Sequence, residues 1–133
     1  MHLDQLRHCL ESPDTARPLL HAWGVRDHAR AQQNLKQLAE SLGPDSLAEL
    51  VPWLGRFLPR SPDPDMALNN FERFLASPGG LDQRPALLES RGRPLEKLLE
   101  LLGASQFFSD LLARHPEYLD MLRVPLRDGR AHV

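Results

Sequence analysis

An all-α fold of about seven or eight short helices, in an orthogonal or irregular bundle or a short solenoid, is what this 133-residue sequence predicts. The chain holds 27 Leu, no Ile, four Val (Val25, Val51, Val124, Val133) and one Thr, Thr15. Strand-favouring residues are thus nearly absent, while a strong helix former supplies about a fifth of the chain. The leucines recur at i, i+3, i+4 and i+7, the period of a helix with one buried face. Twelve prolines complete the pattern. Most fall where a helix can begin, because a first-turn N–H has no intrahelical partner to lose.

The elements follow in order. His2 to Glu11 carries Leu3, Leu6 and Leu10 at helical spacing, and Pro18 is expected to open a second piece, PLLHAW, closed by Gly24. Asp27 caps a longer helix that runs to Leu42 with Leu35, Leu38 and Leu42 on one stripe, stopped by Gly43 and Pro44. Ser46-Leu-Ala-Glu49 reads as a capping box opening the next helix. Leu47, Leu50, Val51, Leu54, Phe57 and Leu58 form its apolar face, and Pro52 predicts a kink or split near Trp53. PRSPDP, residues 59–64, is the clearest break, dividing N-terminal helices at 1–58 from C-terminal helices at 65–123 within one domain. In the second half, Asp63-Pro64-Asp65 opens a helix to Ala76, Asp82 to Ser90 forms a shorter one, and Arg93-Pro94 opens PLEKLLELLG. Ser105 then caps QFFSDLLARH, Pro116 opens PEYLDMLR, and residues 124–133 read as a tail.

Bulk composition narrows the function. Sixteen basic and eighteen acidic side chains give a net charge of -2, which supplies no phosphate-seeking field, so nucleic acid is not an expected partner. The longest apolar stretches fall far short of the roughly 20 residues of a membrane span. Cys9 has no partner for an internal disulfide, and MHLDQLRHCLESPD carries acids where a secretory leader is apolar; a cytoplasmic location is expected.

No catalytic, cofactor-binding or metal-ligating residue is predicted in this chain. Asp63-x-Asp65 has the form of a carboxylate pair that holds Mg²⁺ against a phosphate. Its place at N-cap and N2 of a helix explains both acids without a metal. Gly103-Ala104-Ser105 reads as the end of one helix and the cap of the next. No two of the six histidines have the i, i+4 spacing of a helical zinc site.

Two segments go beyond plain core patterning. On a helical wheel Ala67, Leu68, Phe71, Phe74 and Leu75 share an arc, Asn69 and Arg73 lie opposite, and Asn70 falls at the edge. Asn competes with the helix backbone for hydrogen bonds, so an asparagine at a core boundary predicts a specific bond to a neighbouring segment. In the second segment Phe107, Phe108, Leu111, Leu112 and His115 fall on one arc, which predicts a buried His115, with Asp110 and Arg114 paired at i, i+4 outside.

These two segments, DPDMALNNFERFLA (63–76) and LLELLGASQFFSDLLARHPEYLDML (98–122), resemble the region near the N-terminus of the glutamine synthetase adenylyltransferases, which attach AMP to glutamine synthetase and remove it. The resemblance rests on Ala67-Leu-Asn-Asn70 with Arg73-Phe74, and on Ser105-x-Phe107 followed by His115-Pro116-Glu117. It implies a non-catalytic helical segment upstream of the first nucleotidyltransferase domain. The expected partners are that downstream domain and glutamine synthetase, with ATP and Mg²⁺ serving the full-length family rather than this chain. The expected docking surface is Asn69, Asn70, Arg73, Asp110, Arg114, His115 and Glu117. The alternative is a self-contained helical interaction module with a groove near Trp53, Phe57 and Phe71.

Overall fold

The computed structural model describes residues 1–120. The expected tail at 124–133 and the last residues of PEYLDMLR lie outside the described residues. Among the described residues there is no strand. The α-helices are α1 (Leu3–Glu11), α2 (Pro13–Ala22), α3 (His28–Leu42), α4 (Pro44–Phe57), α5 (Pro64–Ala76), α6 (Arg84–Leu87), α7 (Glu89–Leu102) and α8 (Gln106–Arg114), with short 3₁₀ turns after α4, before α6 and after α8.

Where leucine periodicity carried the expectation, burial follows it. Leu35 and Leu38 of α3, Leu47, Leu50, Val51, Leu54 and Phe57 of α4, and Ala67, Leu68, Phe71, Phe74 and Leu75 of α5 are all buried. Buried apolar side chains from Leu6 to Leu119 form one continuous core cluster. Within it α5 packs on α3, α7 and α8, while α1 packs on α2, α3 and α4. Phe57 and Phe71 belong to this core, and Phe71 is 0% exposed. The groove expected near Trp53, Phe57 and Phe71 is therefore closed: Trp53 stacks on Phe57 with ring centroids 5.8 Å apart, and Gly92 covers both rings.

Three boundaries differ from expectation, each for a local reason. α2 opens at Pro13 rather than Pro18, because the Ser12 hydroxyl accepts from the Thr15 N–H at 3.3 Å and Pro13 occupies the first turn. Gly24 closes it as expected: with φ at +83°, it lets the Gly24 and Val25 N–H groups reach the carbonyls of His21 and Leu20. α4 opens at Pro44, directly on Gly43, so Ser46 lies inside the first turn and forms no capping box. α4 then runs through Pro52 to Phe57 without a break. Buried side chains on both sides of Pro52, from Leu47 to Phe57, hold the helix against the loss of one hydrogen bond.

The segment read as one helix from Asp82 to Ser90 is instead a 3₁₀ turn at Leu81–Gln83 followed by the single turn of α6. Ser90, Arg91 and Gly92 then take left-handed conformations with φ of 53°, 61° and 75°, and regular helix resumes at Arg93, as the Arg93-Pro94 signal suggested. Single residues visit this region routinely, whereas three in succession are costly for Ser and Arg. The turn is held where Gly92 lies against Trp53: a Cβ there would stand 3.0 Å from the indole.

Gly103 ends α7, yet its φ of -88° is open to any residue. It is glycine because of close approach, since a Cβ would fall 1.9 Å from Ser61 Oγ and 3.0 Å from the Asp63 carbonyl. Ser61 is itself engaged, donating to the Leu99 carbonyl at 3.3 Å and accepting from the Asp63 N–H at 3.3 Å. Gly103→Ala is expected to destabilise the chain by about 1–3 kcal/mol through overpacking. Urea unfolding should show a smaller loss for the same change in a Ser61→Ala background, because the clashing hydroxyl is gone.

Candidate functional site

The start of α5 settles the role of its carboxylate pair. Asp63 accepts from the Met66 N–H at 3.1 Å, the expected N-cap. Asp65 does more than complement the helix dipole: its two oxygens accept from the Arg26 N–H at 2.8 Å and the Asp27 N–H at 2.9 Å, at the entrance to α3. Both carboxylates are thus committed to backbone donors. Among the described residues no group of three or more His, Cys, Asp or Glu side chains converges as a metal site.

Further along α5 both asparagines are bonded, Asn70 from the core boundary and Asn69 from the side read as lying opposite the apolar arc. Asn70 is 6% exposed. Its amide donates to the Leu102 carbonyl at 3.0 Å, at the end of α7. It also donates to Gln106 Oε1 at 3.3 Å, and Gln106 donates back to Asn70 Oδ1 at 3.4 Å. Asn69 accepts from Asn34 of α3. One turn on, Arg73 pairs with Asp110 of α8, and Asp110 also accepts from Gln106 at 3.0 Å. A continuous polar seam therefore runs from Leu102 through Asn70, Gln106 and Asp110 to Arg73.

This seam corrects two expectations about α8. Asp110 is bonded to Arg73 rather than to Arg114, whose charge acts on it only as a lesser influence. The helix is also rotated from the position its apolar arc suggested: Ser109 and Leu112 are buried, whereas Phe107 is 75% exposed. A wheel drawn on apolar residues ignores Gln106, which must face Asn70 for the seam to close. Ser109 faces inward because it is small and its hydroxyl returns to the Ser105 carbonyl at 2.9 Å. His115 consequently lies exposed instead of buried, stacked on Tyr118 at 4.9 Å, with Nδ1 3.5 Å from Glu117.

The seven expected docking residues therefore separate. Asn70 is inside the chain, Asn69 and Asp110 are half-buried, and Arg73, Arg114, His115 and Glu117 are exposed. The polar cluster contains residues that the sequence reading passed over, namely Gln106 and Asn34, and a cleft of about 690 Å³ opens between α3 and α5 beside them. Its signal was present as Gln32-Gln-Asn-x-x-Gln37, a run of carboxamides that a search for apolar period does not register.

The hydrogen bonds from Arg73 and then Gln106 hold the Asp110 carboxyl below the usual aspartate range. Glu72, half-buried at the edge of the cleft, is pushed the other way by burial, with the Arg30 charge opposing.

Comparison with known proteins places the chain beside one group. Over 113 residues, 84% of this chain, it is 34% identical to the bifunctional glutamine synthetase adenylyltransferase/adenylyl-removing enzyme of Streptomyces coelicolor. The enzyme of the same name from Stenotrophomonas maltophilia is 33% identical over 113 residues, 79% of this chain. That of Rhodopseudomonas palustris is 42% identical over 80 residues, 58% of this chain. The matched parts make up 11%, 12% and 8% of those proteins, so the chain spans about a tenth of the length of these curated relatives. No family model and no solved structure matches it.

Two predictions follow from the carboxylates. Asp63→Ala removes one capping bond and should cost about 1 kcal/mol. Asp65→Ala removes the acceptor for two N–H groups on another segment and should cost about 1–3 kcal/mol. Urea unfolding that finds Asp65→Ala the milder of the two would show the clamp to contribute nothing beyond first-turn charge. For Asp110, the folded carboxyl lies below its unfolded value, so its contribution is complete above the unfolded range and disappears as pH falls through the folded value. Carbon NMR titration should place Asp110 low in the native chain and return it toward the ordinary aspartate value in Arg73→Ala.

Proposed function

We propose that this chain, which resembles the glutamine synthetase adenylyltransferases over most of its length, is a non-catalytic helical segment of such a protein. Its task is to scaffold the catalytic part or to dock it on glutamine synthetase in the cytoplasm. The observation that carries the reading is the similarity over 84% of this chain to 11% of a bifunctional relative. The described helices support it, because they offer no strand on which a nucleotidyltransferase carboxylate pair would sit, and Asp63 and Asp65 are both engaged in holding backbone. ATP and Mg²⁺ belong, in this reading, to the part of the relatives outside the match.

The outer face of α8 suits a docking role. Phe107 is an exposed aromatic beside half-buried Asp110 and Leu111, with exposed Arg114 on the same stripe, and aromatic and arginine side chains are favoured interface anchors. Phe107 and Arg114 are exposed and outside the polar seam, so a partner can reach both without breaking the bonds that hold α8.

The purified chain, given ATP, Mg²⁺ and glutamine synthetase, should transfer no AMP, and it should bind either glutamine synthetase or the catalytic part of a family member in a surface-based binding assay. Replacing Phe107 and Arg114 together by Ala should weaken that binding at least tenfold with helix content unchanged. AMP transfer by the chain alone, or binding to neither protein, would overturn the reading.

A further inference from the structure

The cleft between α3 and α5 has a composition unlike the rest of the chain. The whole sequence contains three Asn and six Gln. All three asparagines and three of the glutamines line this one cleft: Gln33, Asn34 and Gln37 from α3, Asn69 and Asn70 from α5, and Gln106 from α8. Six of nine carboxamides thus gather among twelve lining residues, of which Met66 is the one apolar member. On α3, Arg30, Gln33, Asn34 and Gln37 stand at i, i+3, i+4 and i+7, one continuous stripe. Core packing accounts for Asn34, Asn69, Asn70 and Gln106, which bond to one another or to Leu102. It does not account for Gln33 and Gln37, both exposed and bonded to nothing among the described residues.

The geometry points to a binding site for an extended polypeptide segment of a partner, held in this cleft through its main chain by the carboxamides of Gln33, Gln37 and Asn69. A carboxamide is the side-chain counterpart of the peptide group: it offers two donors and one oxygen with two lone pairs, so it gives and receives together, as an extended main chain requires. Asn34 is 4% exposed and its bond to Asn69 fixes the floor of the cleft, so half-buried Asn69 and exposed Gln33 and Gln37 present the amide groups that face outward. The α3 stripe from Arg30 to Gln37 rises about 10 Å, which matches about three residues of extended chain. Other ligand classes fit less well. No aromatic ring lines the cleft to stack a base or a sugar, a single Met offers no seat for a lipid, and Arg30 and Arg73, the latter paired with Asp110, share the lining with Asp63, Asp65 and Glu72, which disfavours a phosphate. Three acids, Asp63, Asp65 and Glu72, line the cleft against two arginines, of which Arg73 is paired with Asp110, and this balance favours a segment that brings a basic side chain.

This site stands independently of the AMP-transfer reading, since it rests on the cleft alone. The test uses an array of twelve-residue peptides of varied sequence, probed with the full 133-residue chain. The strongest binder is then resynthesised with N-methyl groups on each alternate set of residues in turn. Binding should fall at least tenfold in one of the two methylated registers, and by a similar factor for the Gln33→Ala/Gln37→Ala double variant, whose circular dichroism should match the parent chain. Lys36→Ala, exposed on α3 outside the cleft lining, should bind normally. In the labelled chain, the side-chain amide signals of Asn69 should shift on titration. An array in which no peptide binds the parent chain more strongly than the double variant, or a binder indifferent to both methylations, overturns the site.

Discussion

The fold depends on α5 satisfying backbone groups that other segments leave unpaired. An α-helix exposes N–H groups at its start and carbonyls at its end, and a bundle of short helices multiplies these ends relative to its length. Half of the eight described α-helices are capped locally, by Ser12, Asp27, Asp63 or Ser105. Two ends are also held from a distance. Asp65 takes the N–H groups of Arg26 and Asp27 at the approach to α3, and Asn70 donates to the carbonyl of Leu102 at the end of α7. One helix thus fixes the start of one neighbour and the finish of another, while its apolar side, from Ala67 to Leu75, fills the core between them. Burying such polar groups without partners would cost more than their pairing contributes, so the arrangement specifies orientation as much as it adds stability.

That division explains what could be read directly from sequence and what could not. The leucine stripes of α3, α4 and α5 were legible because each is a local period, and Asp27, Asp63 and Ser105 because a cap bonds within three residues of itself. The asparagine pair was legible in part: an Asn at a core boundary demanded a partner, but nothing local named Leu102 or Asn34. Asp65 was assigned to its own helix dipole since its true partners lie 38 and 39 residues upstream. α8 was turned the wrong way for the same reason, because its orientation is set by Gln106 meeting Asn70 and not by where its phenylalanines fall. The start of α2 is ambiguous in sequence because Pro13 and Pro18 both suit a first turn, and that of α4 because Ser46-Leu-Ala-Glu49 has the form of a cap two residues after Gly43-Pro44.

The carboxylate pair shows how a motif and its chemistry separate. Asp-x-Asp on a strand projects two acids to one side at a fixed distance, because alternate residues share a face. The same spacing at a helix start sends the first acid to its own first turn and the second outward across the fold. Asp63 and Asp65 follow the second geometry: Asp63 accepts one N–H of its own first turn, and Asp65 accepts one N–H on each oxygen from the approach to α3. In this chain the Asp-x-Asp spacing therefore serves to join helices, Asp63 within α5 and Asp65 between α5 and the approach to α3.

Architecture of this kind also prepares a surface. Asn34 and Asn69 are tied to each other, and Asn70 is tied to Gln106, so the floor of the α3–α5 cleft is fixed before any partner arrives. Side chains ordered in advance lose little freedom on binding, which is where flexible polar contacts otherwise forfeit their affinity. Gln33 and Gln37 are the exposed members above this floor, positioned by a helix whose approach Asp65 anchors. Asp65, which ties the approach of α3 to α5, also lines this cleft, so the packing of the two helices and the shape of the proposed site share one carboxylate.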